Sequence, residues 1–363
     1  MKKILTAYHK KDFSLKNHIV MAPMTRSRAT GNIPNDLMTS YYGQRTGAGL
    51  IITEGTAPTP EALGYPRIPG IFNKAQIEGW KKITARVHKD DSMIFLQLMH
   101  TGRIGHTDNL SEGAILLGAS DIKAAGQIYT DTVGMQDHSE PVTLTTEGVK
   151  DIINGYASAA KNAMEAGFDG VELHAANGYL LEQFLNPNVN NRTDEYGGSI
   201  ANRARLTVEV AEKVAEAIGK EKVGIRFSPF STLGDLKAYD TDEVHETYAY
   251  LAKAMNELDI QYIHISANPA IPQKTLDAIR VNFFNTIILC NGLTAETAED
   301  HLNKGFADIV AFGRSFLSTP DFVNGIENNG LLNKIDVSTL YTPGEKGYTD
   351  YPMLNNRLKS FNN

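Results

Sequence analysis

Residues 171–179 read VELHAANGY, an apolar run that closes on a histidine, with an asparagine three positions on and a tyrosine two beyond that. His174 and Asn177 can aim two hydrogen-bond donors at one oxygen, as an oxyanion-stabilising pair must, while Tyr179 can offer a proton from another direction. A strand-end histidine is also a common structural residue, and Tyr179 alone would suit a core, so the pattern suggests a chemistry without identifying a reaction. Arg226 closes a second apolar run, GIRFSP (224–229). An unpaired charge buried there would be costly. The guanidinium therefore pairs with Glu172, on the same side of its strand as His174, or faces a ligand that becomes anionic, and the two are compatible. Asn291-Gly292 and Gly313-Arg314 close two more runs. Glycine lets backbone N–H groups approach phosphate oxygens and Arg314 can add a charge-assisted bond, although a turn with a surface arginine would read the same.

Residues so far apart in sequence converge only if their elements share one end of a fold. Eight β-rich apolar runs recur along the chain: IVMAPM (19–24), GLIITEG (49–55), MIFLQL (93–98), GVELHA (170–175), VGIRFS (223–228), YIHIS (262–266), TIILCN (286–291) and DIVAFG (308–313). Most lack strict alternation, as strands buried on both faces do. Between them lie helix-like stretches such as TEGVKDIINGYASAAKNAMEAG and SIANRARLTVEVAEKVAEAIG, opening at Thr or Ser and stopping at Gly. This alternation, with no break in composition, predicts an α/β fold: one (β/α)8 TIM barrel spanning 1–363 as a single domain.

In such a barrel the C-terminal strand ends supply the active site. They carry Met24 and Thr25, Glu54 and Gly55, Gln97, His174, Arg226, Ser266, Asn291 and Gly292, and Gly313 and Arg314. No lysine is among them, against Schiff-base chemistry, and no His and carboxylate cluster has ligand spacing, so no metal is expected. Neutral hydrogen-bonding groups plus two separate arginines suit a polar heterocycle at one end and a phosphate at the other. The glycine fingerprint of a dinucleotide-binding doubly wound sheet is absent after any strand. Residues 101–142 are too long for an ordinary βα connection and are expected to cap the catalytic face, with a C-terminal tail from about 341 to 363. The sequon Asn191-Arg192-Thr193 reads as a chance match.

The bulk properties narrow the classes further. With 363 residues, 42% hydrophobic and 21% charged, the chain can bury a large core. A formal charge of −7 gives no basic face for nucleic acid or an anionic membrane. One cysteine, Cys290, excludes a disulfide framework. The opening MKKILTAYHKKDF is too poor in apolar residues for a signal segment, so a cytoplasmic protein is expected.

The segments MAPMTRSRA (21–29), TEGT (53–56), LQLMHTGRIGH (96–106), AGFDGVELHAANGYLLEQFLNPNVNNRTDEYGGSIANRARL (166–206), ADIVAFGRSFLSTPDF (307–322) and GYTDYPML (347–354) resemble the Old Yellow Enzyme family of flavin-dependent ene-reductases. The similarity runs from about residue 10 to 354 and looks nearest to the bacterial branch that includes N-ethylmaleimide and pentaerythritol tetranitrate reductases. It implies noncovalent FMN at the barrel mouth, NADPH or NADH as hydride donor, and an electrophilic alkene or nitro compound reduced in two half-reactions. By the same resemblance, His174 and Asn177 hold the electron-withdrawing oxygen and Tyr179 protonates the α-carbon. Thr25 and Gln97 hydrogen-bond the flavin, Arg226 lies by its N1 and O2, and Pro23, Met24 and Gly55 pack on it. Asn291, Gly292, Gly313 and Arg314 receive its phosphate. Tyr65 and Tyr341 line the substrate side, and Met99 stands where bacterial relatives often carry Trp, which implies a wider pocket. Reduction of nitrate esters or nitroaromatics is the alternative in the same site; a flavin-free phosphosugar isomerase or lyase is the alternative of another class. Physiological substrate, nicotinamide preference and oligomeric state are not written in the sequence.

Overall fold

A computed structural model describes residues 2–268, 271–290, 292–328 and 330–354. Eight parallel strands close into a barrel in the order β4-β5-β6-β7-β8-β1-β2-β3. They are β1 (Ile19–Met21), β2 (Leu50–Ile52), β3 (Met93–Leu98), β4 (Gly170–Ala175), β5 (Val223–Phe227), β6 (Tyr262–Ser266), β7 (Thr286–Cys290) and β8 (Ile309–Phe312). Each lies within one of the eight runs read from the sequence. Their β-branched and aromatic residues suit a pleated surface covered on both sides.

The helices form the outer ring. They include α1 (Asp36–Gly43), α2 (Lys74–His88), α3 (Thr146–Glu165), α4 (Ile200–Ile218), α5 (Thr241–Glu257), α6 (Gln273–Asn282) and α7 (Ala295–Lys304). Six of these seven starts follow side-chain chemistry: the Asn35, Asn73, Thr145, Ser199, Asp240 and Thr294 side chains each accept a bond from a first-turn N–H. Helix α3 buries Val149, Ile152, Ile153, Tyr156 and a row of alanines against the sheet. The alanines let helix and strand backbones approach closely, and each buried Ile or Val contributes about 1.5–3 kcal/mol.

Inside the barrel a second, smaller core gathers Val20, Leu50, Ile52, Phe95, Tyr262, Ile288 and Ile309 around Tyr8, Phe13 and Leu15. Those last three come from a hairpin, Tyr8–Lys10 with Phe13–Leu15, that the sequence reading did not separate from the opening segment. It plugs the N-terminal end of the barrel, so the strands open only toward their C-terminal ends. On that side, residues between β3 and α3 form a second hairpin, Gln127–Thr130 with Gly134–Asp137, and a short parallel pairing of Leu117–Gly118 with Val142–Thr143. The segment 339–348 is strapped to the barrel by two buried arginines. Arg26 donates to the carbonyls of Leu340 and Gly347, and Arg28 to those of Thr339, Leu340 and Lys346.

Candidate active site

Register decides which side chains meet. Pairing of β4 with β5 sets His174 opposite Arg226, pairing of β5 with β6 sets Arg226 opposite His264, and pairing of β3 with β4 sets Gln97 opposite Glu172. Above this row the strand ends open into a cavity of about 730 Å³. Pro23, Thr25, Tyr65, Gln97, Met99, His174, Asn177, Tyr179, Arg226 and Tyr341 all line it. One cavity therefore gathers ten of the residues singled out from the sequence. Met24, between the lining residues Pro23 and Thr25, and Gly55 are not among the lining residues. A Cβ on Gly55 would run into the Met99 side chain, and one on Gly313 would stand 3.5 Å from the Met24 sulfur. Gly292 has φ 60° with open space around it. Arg314 is exposed on the first turn of a short helix, Arg314–Ser318; its carbonyl accepts from Ser318 Oγ at 3.3 Å, and its guanidinium bonds none of the described residues. Asn291 lies outside the described residues.

The floor resolves the choice left open for Arg226. Glu172 does not pair with it; its carboxylate accepts from Gln97 Nε2 at 2.8 Å and contacts His264 Nδ1 at 2.8 Å, all three side chains being buried. Arg226 donates to Ser266 Oγ at 3.3 Å, and its Nε has no partner. Arg226 is also one of the residues that line the cavity. Burial works against charge on both Glu172 and His264, but each favours the other's charged form. Glu172 is held below the usual carboxylate range and His264 above the usual imidazole value. Because Glu172 takes the Gln97 amide nitrogen, the amide oxygen is left for the cavity. His264 escaped the sequence reading; only its register position two strands from His174 marks it.

His174, on the strand between those of Gln97 and Arg226, is buried with its Nδ1 unpartnered. Burial first, then Arg226 and His264, pushes its basicity well below normal, so the ring is neutral. Asn177 sits in a left-handed turn, φ 57°, followed by Gly178 at φ 83°, where a Cβ would strike the Leu233 carbonyl. This turn lifts the Asn177 amide over the cavity, where it has no partner among the described residues. Tyr179 packs edge-on to His174 with centroids 5.0 Å apart, and its hydroxyl donates to Tyr65 Oη at 3.3 Å. Burial raises the Tyr179 phenol above its ordinary value, which keeps its proton in place.

Sequence reasoning also missed the rim. Arg67 donates to the backbone oxygens of Ser27 and Tyr341, each at 2.9 Å, and bonds the Asp131 carboxylate. Nothing in GYPRIPG marked that arginine, whose role is set by three partners distant in sequence. Among the described residues no group of three His, Cys, Asp or Glu could hold a metal ion, and no helix is long and apolar enough to cross a membrane.

The donors and acceptors of the cavity suit a flavin. An amide oxygen on Gln97, a guanidinium with a free Nε on Arg226 and the Thr25 hydroxyl form a polar wall matched to the pyrimidine edge of an isoalloxazine, and the residues fit.

Comparison with known proteins agrees. Residues 8–333 match the NADH:flavin oxidoreductase / NADH oxidase family. The chain is 41% identical to 12-oxophytodienoate reductase 1 of Oryza sativa subsp. japonica, over 97% of this chain and 93% of that protein. The solved structure of morphinone reductase in complex with tetrahydroNAD superposes with a TM-score of 0.92 at 40% identity, covering 98% of each chain. An old yellow enzyme homologue from Zymomonas mobilis gives 0.91 at 36% identity, covering 97% of this chain and 99% of that one.

Proposed function

Because the chain belongs to the NADH:flavin oxidoreductase / NADH oxidase family, as an FMN-dependent oxidoreductase of the Old Yellow Enzyme type, we propose that it reduces the activated C=C bond of α,β-unsaturated carbonyls, maleimides or nitroalkenes. The observation that carries this reading is the convergence of His174, Asn177 and Tyr179 on one cavity whose floor suits a flavin edge. Bound FMN would supply hydride transfer, from NADPH or NADH to the alkene, in two half-reactions at the one site.

The chain's own residues do the rest. Gln97, oriented by Glu172, Thr25 from the loop after β1 and Arg226 would hold the polar edge of the ring, with Pro23, Met24 and Gly55 packed close by. Gly292, Gly313, Arg314 and, outside the described residues, Asn291 would take the phosphate. Neutral His174 and the Asn177 amide donate to the carbonyl or nitro oxygen of the substrate, where charge grows as the β-carbon accepts hydride. Tyr179, still protonated, delivers its proton to the α-carbon. Tyr65, Met99 and Tyr341 shape the alkene's surroundings. The whole chain is read as one domain with 101–142 as a cap and 341–363 as a tail, acting on small molecules in the cytoplasm. Family membership removes the flavin-free isomerase or lyase; nitrate ester reduction shares the oxygen-binding pair and is an outcome of the same assay.

The test separates the half-reactions. Tyr179→Phe should slow alkene reduction by about 10²-fold or more while reduction of the bound cofactor by NADPH proceeds at the parent rate. Equal losses in both would remove Tyr179 from the proton-donating role.

A further inference from the structure

Glu182 lies on the short helix Leu180–Leu185, just after the His174-to-Tyr179 segment, and is 4% exposed. No lysine, arginine or histidine pairs with it among the described residues. A buried carboxylate without a cation is costly unless donors surround it. Three do: Gly178 N–H at 2.7 Å, Ser228 Oγ at 2.7 Å and the Tyr248 hydroxyl at 2.9 Å. Ser228 Oγ, having given its only proton to Glu182, accepts the Asn177 N–H at 2.7 Å. Both amides of the left-handed turn therefore hang on one carboxylate, Gly178 directly and Asn177 through a hydroxyl. Neither N–H has a backbone acceptor, as the nearest backbone bond of the turn belongs to Tyr179. The backbone there is held at φ 57° and 83°, so without these anchors a residue other than glycine would tend to leave the left-handed region.

We propose that Glu182 is a positioning residue for the oxygen-binding amide of Asn177, acting through Ser228, and so sets how tightly the cavity grips the substrate's carbonyl or nitro oxygen. Burial raises the Glu182 carboxyl to about 7 despite its three donors. The inference rests on the ene-reductase reading, since it assumes that Asn177 meets an oxygen of the ligand.

The probe is 4-hydroxybenzaldehyde, a flat phenol whose oxygen stands in for the enolate, titrated into the FMN-loaded protein and followed in the visible absorption of the cofactor. Ser228→Ala leaves the Asn177 N–H without an acceptor and should raise the phenol Kd roughly tenfold, the scale of one lost hydrogen bond. FMN affinity should stay at the parent value. Glu182→Met should weaken phenol binding at least as much. Glu182→Gln keeps an acceptor for Gly178 and can donate to Ser228 and Tyr248, so it should recover most of the affinity. In the Ser228→Ala background, Asn177→Ala should cost little more, because both act on the same contact. Native phenol affinity in Ser228→Ala, or a fully additive double variant, overturns the proposal even while Asn177→Ala alone weakens binding. If the parent protein binds no phenol, or Asn177→Ala leaves binding unchanged, the ene-reductase reading fails first and takes this inference with it. Should Glu182→Met not fold, Ser228→Ala decides alone.

Discussion

His174 illustrates how burial fixes the kind of chemistry a side chain can do. With its basicity pushed well below the usual imidazole value, it stays neutral from mildly acidic to alkaline pH and donates a hydrogen bond without carrying a charge. For a histidine whose folded value is depressed, the sign of the linkage is definite: its contribution to stability is intact above the ordinary value near 6.5 and falls away only as pH drops below it. Phenol affinity, corrected for the phenol's own ionisation, should therefore show no inflection between about pH 6 and 8 that disappears in His174→Asn. A histidine-dependent inflection near 6.5 would mean the imidazole is solvated and the oxygen site is built differently. At the same scale, Gln97 owes its orientation to Glu172 rather than to the cavity. Glu172→Leu should release the amide and weaken FMN binding by one to two orders of magnitude, measured as quenching of free FMN fluorescence on titration, because it strips a partner from Gln97 and from His264 together.

Elements carry the mouth of the cavity, and Arg67 joins three of them: the Ser27 turn, the hairpin at 127–137 and the tail at Tyr341. Its side chain is mostly buried while Asp131 is about half exposed, so the ion pair is screened by salt but the two carbonyl bonds are not. Arg67→Ala should raise amide hydrogen exchange at 127–137 and 337–343 and lift KM for alkenes several-fold with kcat little changed. Protection unaltered in both segments would show that they are held by other contacts. What could be read from sequence follows the same division. All eight barrel strands were legible, because β-branched apolar runs and capped helices are local signals, and Gln97, His174, Asn177, Tyr179 and Arg226 followed from lying at or beside strand ends. Arg67, Glu182 and His264 were not, since each depends on at least one partner 40 or more residues away that no periodicity links. The hairpin Tyr8–Lys10 with Phe13–Leu15 was hidden for another reason: its strands are three residues each and interrupted by lysines.

The whole molecule is closed at one end by that hairpin and strapped at the other by its tail, and the strap converges on a buried carboxylate. Glu54, at the end of β2, accepts from the Arg26 N–H at 3.2 Å and the Tyr42 hydroxyl at 3.3 Å, while Arg26 reaches the tail and Tyr348 stacks on Tyr41 with centroids 4.0 Å apart. Burial raises the Glu54 carboxyl to about 7, with Arg26 and Tyr42 only partly opposing it. The folded protein consequently binds the Glu54 proton more tightly than the unfolded chain does, where a carboxyl titrates near 4.3. Stability from this group is full below that lower value and is lost as pH rises through about 7, the reverse of an ordinary salt-bridged carboxylate. Glu54→Gln does not titrate, so its stability relative to the parent should improve by on the order of 2 kcal/mol between pH 5 and 8. Urea midpoints taken at each pH give the comparison, and pH effects from every other group cancel in the difference. A variant that instead loses ground as pH rises would show Glu54 working as a charged partner of Arg26, and the strap would then be an ion pair rather than a buried hydrogen-bond cluster.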